Sequence, residues 1–273
     1  DVLTKHGEYL RVLDGFRDSV VVRVAQDQPT SLTVTLEGGH ADEHARALSV
    51  VRRMLGVDRE LSHFNRAAAR MPWLRPLAIR MRGVKPPRYP TLWEACVNAI
   101  VFQQVSLVAA SAICRRVVMT LSAPIERAEL VLHAFPGADS FQGASDHVLR
   151  VAGLSANKLA TLRRVAEEIL SGSLDEAMLE ARPSADAAAL LCRIKGIGPW
   201  TASVILLRGL GRLDVFPMND SSVAKNLAFV GRSAPIDLQR ELSLLGPERG
   251  MLYYHLLLAR LDARGEIGLV SST

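Results

Sequence analysis

The sequence predicts an α+β protein that is mainly α-helical: a small N-terminal antiparallel β-sheet with one helix, then an all-helical domain. Two patterns carry this prediction. The first forty residues are rich in Val, Leu and Thr and are divided by turn signals, whereas apolar residues from position 91 onward recur at helical spacing. We therefore predict a β-rich domain over 1–70, a Pro/Arg-rich linker over 71–90 and a helical domain over 91–273.

Three strands are predicted in the N-terminal part, over 9–13, 19–25 and 31–37, with Asp14-Gly15 and Gly38-Gly39 as turns between elements. Apolar and polar residues alternate in the third strand, which is the pattern of a half-buried antiparallel strand. Apolar residues then recur at helical spacing from 41 to 55, which predicts a helix that ends at Gly56.

A capping box opens the helical domain, because Thr91 and Glu94 are spaced so that each side chain accepts the other's backbone N–H. The periodicity of apolar residues predicts nine helices, over 92–102, 106–121, 145–152, 155–171, 184–194, 199–209, 219–229, 235–244 and 250–264.

Composition limits the class of protein. The chain has 273 residues, 49% of them hydrophobic and 22% charged, which is ordinary for a globular protein with a sizeable core. A net charge of +5 suits a polyanion partner but is common in proteins that never bind DNA. No run of 18 apolar residues and no signal-peptide pattern occurs, so we predict a soluble intracellular protein without a membrane partner.

Cysteine and histidine patterns argue against a metal or redox centre. Cys96, Cys114 and Cys192 are far apart in apolar helical patterns and are predicted to be small buried residues in a reducing compartment. No four-cysteine cluster lies near the C-terminus, which excludes an iron–sulfur cluster there. The seven histidines lack metal-ligand spacing and no Gly-rich nucleotide loop follows a strand, so zinc, NAD and ATP are not expected.

The most informative segment runs from Leu190 to Lys225 and places a glycine hairpin, Lys195-Gly196-Ile197-Gly198-Pro199, between two apolar helices. The two glycines permit backbone angles that are closed to other residues, and Pro199 suits the first turn of a helix. Free N–H groups at the start of the second helix favour an anion. The hairpin is therefore predicted to bind one DNA phosphate.

Four stretches carry a family resemblance: GIGPWTA at the hairpin, LR-x-LG-x-x-DVFP at 207–217, Asp220 twenty residues after Trp200, and YPTLWEACVNAIVFQQVSL at 89–107. They resemble the helix-hairpin-helix plus Gly/Pro-Asp motif of base-excision DNA glycosylases, and most closely the bacterial 3-methyladenine DNA glycosylase II family. The resemblance extends from about Tyr9 to the last helix. The family's N-terminal domain is longer, so we predict that its first part is absent here.

The resemblance implies a monofunctional glycosylase that hydrolyses the N-glycosidic bond of alkylated bases, of the 3-methyladenine and 7-methylguanine type, in duplex DNA during base excision repair. It implies a monomer whose active cleft lies between helical subdomains. Its location would be cytoplasmic and nucleoid-associated in a bacterium, and nuclear in a eukaryote.

The resemblance implies that Asp220 is the catalytic residue, whose carboxylate would stabilise the positive charge that develops on the sugar. On its position alone, the same residue is more simply a helix N-cap. Trp200 occupies the place where bifunctional relatives carry a lysine nucleophile, which predicts no lyase activity. The resemblance makes Trp200 a wall of the base pocket, whereas periodicity alone fits a core residue equally well. The predicted pocket comprises Trp200, Gln103, Val204, Tyr253 and Tyr254.

The DNA-contacting set is predicted to be Gln104, Lys195, Gly196, Gly198 and Lys225. Gln104 is assigned as the wedge that fills the base stack and Gln103 as the pocket amide, although the reverse assignment, or two amides that simply meet solvent, stays open. No cofactor is required. In relatives, hairpin carbonyls hold a monovalent cation, and the matching positions for Na⁺ or K⁺ are Cys192, Ile194 and Ile197.

Departures from the family leave two alternatives open. Val204 stands where the family has a second pocket aromatic, and Leu257 and Leu258 replace aromatics near the last helix. A pocket with fewer rings suits another lesion, such as uracil, hypoxanthine or an oxidised purine. The other alternative is a non-catalytic helix-hairpin-helix DNA-binding protein in which Asp220 is only a cap.

Overall fold

The computed structural model describes residues 2–4, 7–28, 30–127, 130–231 and 236–267. The chain forms two compact units. The first comprises Asp1–Met54, Tyr89–Leu179 and Ile194–Gly196, and the second comprises Leu55–Arg88, Glu180–Arg193 and Ile197–Thr273. The predicted last helix and its neighbours are present, but the final six residues of the predicted helical domain, 268–273, lie outside the described residues.

The first unit contains an antiparallel sheet whose spatial order follows the sequence. Its strands are β1 (Val2–Leu3), β2 (Tyr9–Leu13), β3 (Val20–Gln28) and β4 (Ser31–Glu37). The mainly helical architecture with a small N-terminal sheet is thus confirmed, and β2 and β4 have the predicted bounds. Strand β3 runs three residues past the predicted end, because its pairing with β4 continues after a register shift between Ala25 and Gln28.

Fourteen α-helices occur within the described residues. They are α1 (His44–Leu55), α2 (Ser62–Ala69), α3 (Arg75–Arg80), α4 (Leu92–Val101), α5 (Leu107–Leu121), α6 (Ala138–Gly143), α7 (Asp146–Val151), α8 (Ala156–Leu170), α9 (Glu176–Glu180), α10 (Ser184–Cys192), α11 (Pro199–Arg208), α12 (Ser221–Gly231), α13 (Leu238–Leu245) and α14 (Met251–Ala263). All nine helices predicted after position 91 are found within a few residues of their predicted bounds, and residue 235, the predicted start of one of them, lies outside the described residues.

A β-hairpin interrupts the domain that was predicted to be all-helical. Strands β5 (Pro124–Arg127) and β6 (Leu130–His133) pair antiparallel after α5. Leu132 is buried against Leu10, Val12 and Val21 of the N-terminal sheet. The hairpin is therefore held by a contact far away in sequence, which the local pattern could not show.

The predicted linker over 71–90 contains helix α3 and belongs largely to the second unit, which extends to Arg88. Leu74, Leu77 and Met81 are buried in the core of that unit. Pro76 stands in the first turn of α3, where a missing N–H costs nothing. One of the five prolines that suggested a linker thus helps to begin a helix.

Half of the predicted capping box forms. Thr91 Oγ1 accepts the Glu94 N–H at 3.1 Å, as expected. The Glu94 carboxylate instead pairs with the guanidinium of Arg11 on β2, where both side chains are buried. Burial raises the pKa of Glu94 and the charge of Arg11 opposes that rise. A buried ion pair consequently joins α4 to the sheet, and removing either partner would leave an uncompensated charge.

Of the three cysteines, Cys96 is buried as predicted, Cys114 is half-buried, and Cys192 is exposed, so the prediction was wrong for Cys192. Burial raises the pKa of Cys96 to about 12. Within the described ranges, no helix has the length and apolar character needed to cross a membrane. The same residues contain no grouping of His, Cys, Asp and Glu suited to a metal ion.

The core of the second unit forms around α14 and includes a buried histidine. The His255 ring lies 4.7 Å from the Phe64 ring, centroid to centroid. Burial lowers the pKa of His255 to about 4, although the Met251 carbonyl at its Nδ1 acts in the opposite direction. The folded protein therefore keeps this imidazole neutral at neutral pH.

His255 predicts acid sensitivity of the fold. Its pKa is lower in the folded than in the unfolded chain, so its contribution to stability is present above about pH 6.5 and is lost as pH falls towards 4. We expect about 2 kcal/mol of unfolding free energy to be lost between pH 6.5 and 5. Urea unfolding at the two pH values measures this loss. His255→Leu should remove most of it, and an unchanged loss in that variant would contradict the assignment.

Candidate functional site

The hairpin connects α10 to α11, which pack against each other in the second unit. Gly196 has φ +104°, a conformation that residues with a side chain rarely adopt. A Cβ atom built there would lie 2.0 Å from Thr161 Oγ1. The chain therefore requires glycine at this position for both its backbone angle and its close approach to α8.

Gly198 is a glycine for another reason. Its φ is −98° and its ψ 178°, which any residue can adopt, so the sequence-based expectation of a special backbone angle is wrong here. A Cβ atom at Gly198 would meet nothing within 4 Å. Pro199 begins α11 as predicted. The absent side chain leaves the start of α11 open, which permits close approach of a ligand to the backbone.

The hairpin presents backbone donors. Within the described part of the chain, the N–H groups of Gly196, Gly198 and Trp200 donate to no other protein group. Lys195 and Gly196 are exposed and Gly198 is half-buried. Donors at a helix start, together with the positive end of the helix dipole, favour an anion. This geometry is suited to a phosphate.

Two side chains contact the carbonyls of Lys195 and Gly196, the hairpin residues that belong to the same first unit. Gln103 Nε2 donates to the Gly196 carbonyl at 3.0 Å. Arg164 Nη1 donates to the Lys195 carbonyl at 3.2 Å. Gln103, predicted for the base pocket, thus contacts the backbone of the predicted phosphate-binding turn. Its neighbour Gln104 is exposed and has φ +56°, an unusual conformation for a residue with a side chain.

Asp220 lies where the loop after α11 meets the start of α12. Asn219 before it has φ +62°, a left-handed conformation that asparagine tolerates better than most residues. Asp220 Oδ1 accepts the Ser222 N–H at 2.7 Å, and the Asp220 carbonyl accepts the Val223 N–H at 3.0 Å. These are the bonds of an N-cap, so the capping role predicted as the simpler alternative is present.

The second carboxylate oxygen of Asp220 has different partners. Trp200 Nε1 donates to Asp220 Oδ2 at 2.9 Å, and the Tyr253 hydroxyl donates to the same oxygen at 3.0 Å. All three residues belong to the second unit and are half-buried. An N-cap needs only one oxygen. The indole and phenol donors therefore hold the side chain in one orientation beyond what capping requires.

These contacts decide the charge of Asp220. Partial burial alone would raise its pKa, but hydrogen bonds from Ser222, Trp200 and Tyr253 outweigh it, so the pKa lies below the ordinary value for aspartate. The carboxylate is ionised at neutral pH. An ionised, partly exposed carboxylate between two aromatic side chains can stabilise a developing positive charge.

The other residues predicted for the pocket are arranged differently. Tyr254 is buried, and its hydroxyl donates to the carbonyls of Pro87 and Leu207 at 3.1 and 3.3 Å. Val204 is buried in α11, one turn after Trp200. The structure thus brings Trp200 and Tyr253 to Asp220 and places Tyr254 in the core.

Sequence reasoning missed two residues that support Asp220. Ser222 supplies the capping N–H, and its place two residues after a helix-start Asp is the local signal that could have identified it. Phe216 packs edge to face on Tyr253, with ring centroids 6.2 Å apart. No local pattern links Phe216 to Tyr253, since they are 37 residues apart. Lys225 is exposed on α12.

The family described as "HhH-GPD superfamily base excision DNA repair protein" matches residues 97–247. This range contains the hairpin, Trp200 and Asp220, but not Tyr253.

Several named proteins are similar to the chain. The "Probable bifunctional transcriptional activator/DNA repair enzyme AlkA" of Mycobacterium tuberculosis is 30% identical over 199 residues, which is 66% of this chain and 38% of that protein. DNA-3-methyladenine glycosylase 2 of Escherichia coli is 24% identical over 237 residues, covering 87% of this chain and 80% of the relative. The chain thus spans well under half the length of the mycobacterial relative.

A solved 3-methyladenine DNA glycosylase from Archaeoglobus fulgidus has a similar structure. It superimposes with a TM-score of 0.81 at 23% sequence identity, covering 95% of this chain and 89% of that one. Identity at this level shows a shared fold.

Proposed function

The chain belongs to the HhH-GPD superfamily of base excision DNA repair proteins, and from this premise we propose that it is a monofunctional DNA glycosylase. Its proposed substrates are alkylated bases of the 3-methyladenine and 7-methylguanine type in duplex DNA. The observation that carries the proposal is the ionised Asp220 carboxylate, which Trp200 and Tyr253 hold through one oxygen. The names of the similar proteins support the choice of lesion.

The proposed reaction breaks the bond between the sugar and an extruded base. Alkylation gives the base a positive charge and makes it a good leaving group, so positive charge passes to the sugar in the transition state. The Asp220 carboxylate stabilises that charge and orients the attacking water. Because hydrogen bonds lower its pKa, Asp220 is a weak base and a persistent anion. Charge stabilisation is therefore its main proposed role.

Recognition of the base is assigned to the aromatic side chains at Asp220. Trp200 presents a flat ring on which an extruded base stacks, and a cationic base gains additional attraction to the ring. Because the Trp200 N–H and the Tyr253 hydroxyl both donate to Asp220, the same two residues orient the carboxylate.

Binding of the duplex is assigned to the hairpin and the segment after α4. The N–H groups of Gly196 and Gly198 bind a backbone phosphate, and the exposed Lys195 and Lys225 add positive charge. Gln104 follows α4 in a left-handed conformation and is the proposed wedge that fills the space left by the base. The monovalent cation at the carbonyls of Cys192, Ile194 and Ile197 stays a prediction, as does the monomeric state.

The enzyme assay measures free base released from methylated duplex DNA, with a uracil-containing duplex in parallel. We expect methylated purines in the released fraction and no uracil. Release of uracil alone would favour a glycosylase for another lesion. Binding without release from either duplex would favour the non-catalytic alternative.

Strand cleavage provides a separate test. Trp200 lacks an amine that could form a Schiff base with the sugar, so the product strand should stay intact until alkali is added. Denaturing gel electrophoresis of the product with and without hot alkali measures this. Cleavage without alkali, or trapping of a covalent complex by borohydride, would contradict the absence of lyase activity.

Tyr253→Phe tests how the Asp220 carboxylate is kept ionised. The variant keeps the ring and removes one donor from Asp220, so the pKa of Asp220 should rise. Activity depends on the ionised form and disappears as pH falls through that pKa, so the acid limb of the pH–rate profile should move to higher pH. Tyr254→Phe is the matched control, because its hydroxyl donates to the carbonyls of Pro87 and Leu207. An unmoved limb in Tyr253→Phe would contradict this role.

A further inference from the structure

Positive charge is concentrated in one segment of the chain. Residues 61–93 contain seven Lys and Arg side chains and no Asp or Glu, although the whole chain has 33 basic and 28 acidic residues. The remaining 240 residues therefore carry 26 basic and 28 acidic side chains, a net charge of −2. The segment comprises α2, α3, the turns around them and the first two residues of α4, and it contains neither the hairpin nor Asp220.

Some of these basic side chains have structural partners. Arg80 pairs with Asp262 of α14, and Arg88 Nε donates to the Gly209 carbonyl at 2.9 Å. Lys85 donates to the Arg59 carbonyl at 2.7 Å. Four further guanidinium groups are exposed and make no hydrogen bond or ion pair with any residue that the structure describes: those of Arg66, Arg70, Arg75 and Arg82.

Two of these four arginines border a groove between α2 and α3. The groove has a volume of about 250 Å³ and is lined by Asn65, Ala69, Arg75, Ala78, Ile79 and Arg82. Its apolar lining consists of Ala69, Ala78 and Ile79, and Ile79 is 58% exposed. A groove lined by hydrocarbon and by two guanidinium groups can bind an apolar side chain and negative charges together.

We infer that this groove binds an acidic segment of a partner protein, in which one large apolar side chain is flanked by carboxylates. The apolar side chain would cover Ile79, and carboxylates would form bidentate pairs with Arg75 and Arg82. Exposed arginines around an apolar pocket are typical anchor positions of protein interfaces. The absence of acidic side chains from 61–93 means that nothing in the segment competes with such a ligand.

A DNA backbone fits the groove less well. Phosphates would satisfy the arginines, but the apolar groups of a duplex are deoxyribose carbons and thymine methyls, which would cover less of Ile79 and the alanines beside it than one large side chain. The Asp220 carboxylate and its two aromatic donors, Trp200 and Tyr253, share no residue with the groove. The inferred interaction is thus separate from the proposed base-release reaction and does not depend on it.

Fluorescence anisotropy with synthetic probes tests the inference. The probes are twelve-residue peptides with a central Phe, Leu or Trp flanked by six Asp and Glu residues. One matched set replaces the acids by Asn and Gln, and another replaces the central residue by Ala. We expect only the acidic peptides with an apolar centre to bind, and added salt should weaken binding. Arg75→Glu/Arg82→Glu should weaken it at least about tenfold, and Ile79→Ser should weaken it for every central residue.

The control variant Arg115→Glu/Arg150→Glu makes the same charge change at two exposed arginines of the first unit and should bind the peptides as the original chain does. Base release should be unchanged in every variant, and urea unfolding confirms that each is folded. Absence of binding by all acidic peptides at millimolar concentration would overturn the inference. So would equal peptide binding by Arg75→Glu/Arg82→Glu, or a loss of affinity for undamaged duplex DNA in that variant without peptide binding, which would identify a DNA surface.

Discussion

Asp220→Asn should reduce base release from methylated duplex DNA by about 10³-fold or more while duplex binding persists. Asparagine has nearly the same shape and is itself a good N-cap, so α12 retains its start. What disappears is the negative charge that Trp200 and Tyr253 hold beside the proposed position of the sugar. A loss of this size corresponds to about 4 kcal/mol of transition-state stabilisation.

Single-turnover release of free base measures the chemical step, and binding to a duplex with an abasic-site analogue measures DNA affinity separately. Asp214→Asn is the matched control, because Asp214 is an exposed aspartate in the same loop region before α12. Its release rate should match that of the original chain. Undiminished release by Asp220→Asn would leave capping as the only role of Asp220. An equal loss in Asp214→Asn would contradict a charge effect that is specific to Asp220.

Local rules predicted much of this site. A glycine hairpin followed by proline fixes the start of α11, and an Asp before a run of helical spacing fixes the start of α12. Both depend on interactions within a few residues, which the sequence displays directly. For the same reason the bounds of nine helices after position 91 were predicted closely, whereas the short helices α6 and α9 were not predicted.

Long-range pairs could not be predicted in this way. The Tyr253 hydroxyl contacts a carboxylate 33 residues away, and the Gln103 amide contacts a carbonyl 93 residues away. Glu94 meets an arginine 83 residues away instead of completing its capping box. In each case the local pattern permits several partners, and tertiary packing decides which one is taken.

The second large effect concerns the two hairpin glycines. Replacing each by alanine should have a different consequence. Gly196→Ala should destabilise the fold by about 2–4 kcal/mol. Its Cβ would lie 2.0 Å from Thr161 Oγ1 and 2.8 Å from Thr161 Cγ2, at a φ that alanine rarely adopts. Thr161 is buried and its hydroxyl donates to the Asn157 carbonyl, so it cannot move aside easily.

Gly198→Ala is the matched variant and should leave stability within about 0.5 kcal/mol. Its φ of −98° suits alanine, and the new Cβ would meet no atom within 4 Å. The methyl group would instead occupy the open approach to the N–H groups at the start of α11. Weaker binding of undamaged duplex without loss of stability is therefore expected, and it is measured by anisotropy beside urea unfolding. Unchanged DNA affinity in Gly198→Ala would contradict a phosphate at the hairpin.

A double-mutant cycle separates the two causes of damage at Gly196. Thr161→Ala removes the Oγ1 and Cγ2 atoms that clash with the new methyl group, so Gly196→Ala/Thr161→Ala should recover part of the lost stability. The remainder contains the cost of the left-handed backbone and the 2.9 Å approach to the Cβ of residue 161, which Thr161→Ala keeps. Strictly additive losses would mean that the contact with α8 does not require glycine, and that the backbone angle alone does.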